Sequence, residues 1–185
     1  MLIKILIVLA LLIAVFLIVA AFQPSSFRVE RSATIAAPPA EIFPRVNDLH
    51  RFQEWSPWAK LDPNCQTSFE GPTAGTGAIF NWSGNHQVGQ GRMTIIESQP
   101  DQLVRLKLDF MKPFAGTNIA EFHFTPQAGQ TLVTWSMTGQ KAFPVKAMGL
   151  FMSMDKMIGN SFEQGLSSLR ALSEAAAKTA PGSGS

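Results

Sequence analysis

Eighteen consecutive residues, Ile5 to Phe22, carry no polar side chain. As a helix they rise about 27 Å, close to the thickness of a hydrocarbon core. Lys4 can snorkel back to the headgroups, which lets Leu2 and Ile3 lengthen the span. Gln23-Pro24-Ser25-Ser26 then ends the helix, because proline lacks an amide hydrogen and biases its predecessor away from helical geometry. The rival reading is a cleavable signal peptide, with Val19-Ala20-Ala21 as a small-residue cleavage site. The apolar run is longer than the usual h-region, which favours an uncleaved single-pass anchor making few contacts with the rest of the chain. Flanking charge is poorly biased, with Lys4 on one side and Arg28 and Arg31 on the other. A short tail carrying Lys4 is expected to stay cytoplasmic, leaving the soluble part extracytoplasmic.

The chain thus divides into an anchor and linker over 1–26, one domain over 27–176 and a disordered tail over 177–185. A chain of 185 residues has room for one domain and not for two. Of its 15 Lys and Arg only Lys4 lies in the first 22 residues, which leaves 14 against 13 Asp and Glu. A near-neutral domain without a basic run offers no footprint for nucleic acid and no polybasic patch for a lipid surface. A single cysteine, Cys65, excludes a disulfide framework, and no neighbouring group would lower its pKa.

Phe27 to Ile35 alternates as a strand does, with Phe27, Val29, Arg31, Ala33 and Ile35 on one, mostly apolar face. Pro38-Pro39 starts a short helix through Ile42 and Phe43, which Pro44 shortens or kinks, and Asp48–Trp55 forms a second. Strands are expected near Thr67–Glu70, Gly77–Ser83, Gly91–Ser98, Gln102–Met111, Asn118–Thr125 and Thr131–Thr138. Gly84-Asn85 and Ala128-Gly129 read as hairpin turns, so the sheet is antiparallel and the fold class α+β. The last four strands share an apolar face that includes Met93, Leu106, Leu108, Phe110, Phe122, Trp135 and Met137. One long helix, Val145 to Ala176, is expected to cover it with a stripe that includes Met148, Phe151, Met152, Asp155, Gly159, Phe162 and Leu166.

Three local words succeed one another in this framework. Phe52-x-x-Trp55-Ser56-Pro57-Trp58 closes the short helices. Gly75-x-Gly77 and Gly89-x-Gly91 bracket the strand holding Trp82. Phe162-Glu163-x-Gly165-Leu166-x-x-Leu169 lies in the last helix. Together they resemble the SRPBCC, or START-like, superfamily over about residues 27–173, in particular its bacterial membrane-anchored polyketide cyclase/dehydrase-like members. The resemblance implies a helix-grip fold, in which a curved antiparallel sheet of about seven strands wraps a long C-terminal helix around a cavity. It also implies binding of hydrophobic ligands, catalysis being a property of some members only.

The chemistry-bearing residues are few. His50, His86 and His123 fall on different elements, none at zinc-ligand spacing, so neither a metal nor another cofactor is expected. Trp82, Leu108, Phe110, Phe122, Trp135, Phe151 and Phe162 read as cavity wall or as ordinary core. Met137, Met148, Met152, Met154 and Met157 cluster around the last strand and the helix after it, where flexible thioethers suit varied apolar shapes. Asp155 stands in the middle of the apolar stripe, where an isolated carboxylate must be paired, solvated or neutral. It reads as either a paired group or one that orients a ligand head; Gly159, a turn later, gives close packing or ligand room. The favoured function is membrane-tethered binding of a hydrophobic small molecule or lipid. A cyclase or dehydrase with Asp155 as its one acid or base is the alternative, and a protein-interaction module is the third reading.

Overall fold

The structure, a computed structural model, describes residues 1–151 and 153–179. Leu2–Phe22 forms α1, a helix long and apolar enough to cross a membrane; a signal sequence passes the same test. Its side chains are mostly exposed, although Ala20 is buried. Seven strands come after it: β1 (Ser26–Ile35), β2 (Gln66–Glu70), β3 (Ile79–Ser83), β4 (Gln90–Gln99), β5 (Leu103–Lys112), β6 (Gly116–Gln127) and β7 (Gln130–Gln140). They make one antiparallel sheet in the order β1-β7-β6-β5-β4-β3-β2. Between β1 and β2 lie α2 (Pro39–Asn47) and α3 (Leu49–Trp55); after β7 come α4 (Phe143–Met148) and α5 (Met154–Thr179).

Period-two patterning puts Met93, Ile95, Leu106, Phe122, Phe124, Val133 and Trp135 on the buried concave face. The convex face is wet, and Arg105 there bridges Glu97 and Glu121 on the strands to either side. A register shift between Ile95 and Glu97 marks a bulge in β4, which bends the sheet towards its helices. Ala128 and Gly129 take the positive φ angles of a tight β6–β7 hairpin. On the concave side α2 continues through Pro44 to Asn47, and the Asp48 side chain caps α3 by accepting from the His50 amide at 2.8 Å. The two helices bury Ile42, Phe43, Val46, Leu49, Phe52 and Trp55.

The long helix expected over Val145–Ala176 is two helices. Gly149 closes α4, its amide donating to Val145 O at 2.9 Å. Ser153 opens α5, its Oγ accepting from the Lys156 amide at 3.3 Å. At the far end α5 runs past the expected boundary at 176 to Thr179, with Ala177 packed against the core; Ala180 to Ser185 lie outside the described residues. The contacts of α1 with the rest of the chain are few. The Phe16 ring stacks on Phe151 with centroids 5.9 Å apart, and Lys146 Nζ donates to Ala21 O at 3.5 Å.

α5 lies along β1, at the edge of the sheet. Arg31, the one charged residue on the inward face of β1, donates to the Asp155 carboxylate at 3.1 and 3.2 Å and from Nε to Glu163 at 2.7 Å. Gly159 sits between these two acids, and a Cβ on it would come 2.0 Å from Arg31 Nη2. Of the two readings of Asp155 the paired one holds, and its place in the middle of the stripe, facing a ligand, is corrected. α5 starts only at Met154, so Asp155 is in its first turn, exposed, facing a cation and well placed for the helix dipole. Farther along, the Glu174 carboxylate accepts from the Ala36 amide at 3.0 Å. Strand and helix each advance about 16 Å between the two attachments, so they run side by side.

Two outcomes are expected of the full chain in nanodiscs. Gly159→Ala should lower stability by about 1–3 kcal/mol, the usual range for forcing atoms into a packed site, read as a fall in Tm. The hydrogen bonds from Arg31 hold the Asp155 carboxyl below its ordinary pKa. Its contribution is then present above about pH 4, the unfolded value, and is lost as pH falls through the depressed folded value. Asp155→Asn should flatten that acid limb of the Tm-versus-pH curve, and an unchanged limb would show that the pair contributes nothing.

Candidate functional site

Because α5 keeps to the β1 edge, the concave face under β2 to β6 is left partly uncovered. The space there is a cavity of about 830 Å³, within the range of ligand sites. Its floor is sheet: Phe80 and Trp82 from β3, Met93 from β4, Leu106, Leu108 and Phe110 from β5, Asn118 and Ala120 from β6, Trp135 and Met137 from β7. Its roof is helical and aromatic, with Phe52 of α3, Trp58 of the loop after it, and Ile158 and Phe162 of α5. It opens at one end, between the α3–β2 loop, the β3–β4 and β5–β6 hairpins, and α4.

The glycine words of the sequence shape this wall. A Cβ on Gly91 would lie 2.4 Å from the Trp82 indole, so the ring lies flat over the β4 backbone. The Trp82 N–H donates to Val88 O at 3.0 Å, which satisfies its one polar atom and ties it to the hairpin. Gly89 makes the positive-φ turn. At the inner end Trp135 stacks on Phe162 at 3.9 Å and on Phe122 at 4.8 Å, with Trp58 edge-on at 5.8 Å. Gly165 lets α5 approach, since a Cβ there would meet the Trp135 ring at 2.8 Å.

Of the twelve residues singled out in the sequence, six line the cavity: Trp82, Leu108, Phe110, Trp135, Met137 and Phe162. Phe122 does not. It is fully buried, closed in by Trp135, Phe52 and Trp55, and is core. Met148 and Phe151 do not line the cavity and are exposed, because the helix ends at Gly149. Asp155 and Gly159 are occupied with Arg31. Met152 lies outside the described residues. The sequence pattern did not reveal the opposite wall, notably Phe69 on β2, which stacks on His50 of α3 at 3.8 Å. The alternating Thr67, Phe69 pattern was its only signal, and the strand is too short for that to decide.

The deep wall is apolar. Titratable side chains sit at the mouth or rim: His50, Asp62, Cys65 and Lys112. The Asp62 carboxylate is already engaged by the amides of Asn64 at 3.0 Å and Asn85 at 2.7 Å. Asp155, the one acid or base the cyclase alternative offered, lies outside the cavity.

No curated protein sequence matches the chain. Among solved structures, a protein from Chromobacterium violaceum aligns with a TM-score of 0.57 at 16% identity, covering 82% of this chain and 99% of that one. The Aha1 dimer from Colwellia psychrerythraea gives 0.57 at 14% identity, covering 80% and 96%. The di-domain ARO/CYC StfQ from the steffimycin biosynthetic pathway gives 0.61 at 13% identity, covering 84% of this chain and 53% of that one. These likenesses are of fold. The family described as polyketide cyclase / dehydrase and lipid transport matches residues 26–174, most of the chain with its whole sheet and nearly all of α5, and the chain belongs to that family.

Proposed function

We propose that the protein is a membrane-tethered binder of a hydrophobic small molecule or lipid, with α1 as the tether. The observation that carries the reading is the cavity: about 830 Å³ with a mainly aromatic and aliphatic wall and its titratable side chains at the mouth or rim. So large an apolar space open to solvent is poorly satisfied by water, which needs polar partners, and well satisfied by an alkyl or polycyclic ligand. The cyclase or dehydrase reading has no acid or base in the deep cavity to support it. The interaction-module reading calls for an exposed apolar patch and no enclosed pocket, and the cavity weighs against it.

The direct test is mass spectrometry of apolar molecules that co-purify with the full chain from native membranes. A stoichiometric species is expected; none across repeated mild extractions would sink the reading. Wall and core are separable by substitution. In nanodiscs loaded with a photoactivatable fatty acid, crosslinks should map to β3, β5 and α5 peptides. Leu108→Trp, which fills the cavity, should reduce them about tenfold, equivalent to ~1.4 kcal/mol, with little change in Tm. Phe122→Trp should do the reverse, lowering stability by about 1–3 kcal/mol as core overpacking does and sparing the crosslinks.

A further inference from the structure

The cavity opens at the end of the sheet from which α1 enters. β1 starts there at Ser26, four residues after α1 ends, and the β3–β4 and β5–β6 hairpins turn at that same end. Nine large apolar side chains of the domain are exposed among the described residues, and seven of them surround this mouth. Met111 and Phe114 are on the β5–β6 hairpin, Leu61 on the α3–β2 loop and Met157 on the first turns of α5. Phe143, Met148 and Phe151 belong to α4 and the turn after it; Phe151 is 79% exposed. Only Phe69 and Ile96 lie elsewhere. A soluble surface does not gather apolar groups this way without something to cover them.

Five lysines of the domain collect at the same end, whereas Lys107 is paired with Asp109 on the convex face. Lys60, Lys112, Lys141, Lys146 and Lys156 come from four separate stretches of chain, which is why the sequence shows no polybasic run. None has a carboxylate partner among the described residues. The acids nearby, Asp62 and Asp155, are engaged by backbone amides and by Arg31. The depth of the rim is set by α1. Phe151 stacks on Phe16, which lies about 9 Å along the helix from its end at Phe22. Lys146 meets Ala21 near that end, where an ammonium group belongs if the apolar rings below it are in hydrocarbon.

Resting on the reading of α1 as a membrane tether and of the cavity as a ligand site, we propose that the mouth is a docking face for an anionic phospholipid bilayer. Its apolar rim seats in the acyl layer beside α1, its lysines meet lipid phosphates, and the cavity opens into the lipid rather than into water. A ligand then passes between bilayer and cavity without crossing solvent.

The test uses the full chain in vesicles of phosphatidylcholine containing phosphatidylglycerol. In a Cys65→Ser background, Phe114→Cys, Phe151→Cys and Ile96→Cys each carry an NBD fluorophore, and circular dichroism certifies each fold. NBD at 114 and 151 should lose most of its emission to acyl-chain nitroxides and be shielded from iodide, with the opposite at 96. Position 114 is decisive, since it lies across the mouth from α1; iodide access there equal to that at 96 overturns the docking face. Quenching at 114 should fall when phosphatidylglycerol is omitted or salt is raised, and no change would overturn the anionic preference. The photoactivatable fatty acid separates the two readings. Cavity crosslinks with a water-exposed 114 refute docking and leave binding, whereas a lipid-buried 114 without cavity crosslinks refutes binding and leaves docking.

Discussion

One guanidinium decides where the empty space lies. A charged group on the mostly apolar inward face of a strand must be matched, and among the described residues the carboxylates that match Arg31, Asp155 and Glu163, both lie on α5, on either side of Gly159. That attachment holds the helix along the sheet's edge strand. A helix about 10 Å across cannot also cover the strands beyond β7, and α2 fills only the far end, with Ile42, Phe43 and Val46. The uncovered area between them becomes the cavity. The aromatic stack of Trp135 on Phe162 and Phe122 then forms its inner limit, each such pair adding about 0.5–1.5 kcal/mol beyond simple burial.

The sheet was legible because its signal is redundant: period two repeated over four strands, each with one wet face. The break in the last helix was also written, as Gly149 and Ser153, but apolar periodicity on both sides of it masked two ordinary caps. Arg31 and Asp155 were each visible as a charge on an apolar face; each was the explanation of the other, and only the adjacency of β1 and α5 joins them. Wall and core, by contrast, cannot be separated by pattern. Phe122 and Trp82 both alternate inward, and what distinguishes them is what stands opposite, which for Phe122 is Trp135 and for Trp82 is space. Nor could spacing reveal the lysine cluster, because antiparallel connections return distant loops to one end of the sheet.

Membership of the family leaves open which of its named activities a given chain performs, and the binding reading proposed above rests on the placement of charge. Acid–base chemistry on a bound chain needs a titratable group at the reacting atom. Among the described residues the one carboxylate that lines the cavity is Asp62, which backbone amides engage; on the convex face Glu121 and Asp109 are held below their usual pKa by hydrogen bonds from Arg105 and Thr117 respectively.

The outermost wall of the cavity has a different character from the rest. β2 is five residues long, pairs only with β3, and leaves every residue exposed, with no helix behind it except where His50 lies on Phe69. Such an edge opens at low free-energy cost compared with the sheet's centre. On that side the cavity is bounded by an edge that yields more readily than the sheet's centre. On the binding reading proposed above, its capacity is elastic in that direction: a bulky ring system or a second acyl chain finds room by easing β2 outward, and a slim ligand lets the strand settle back.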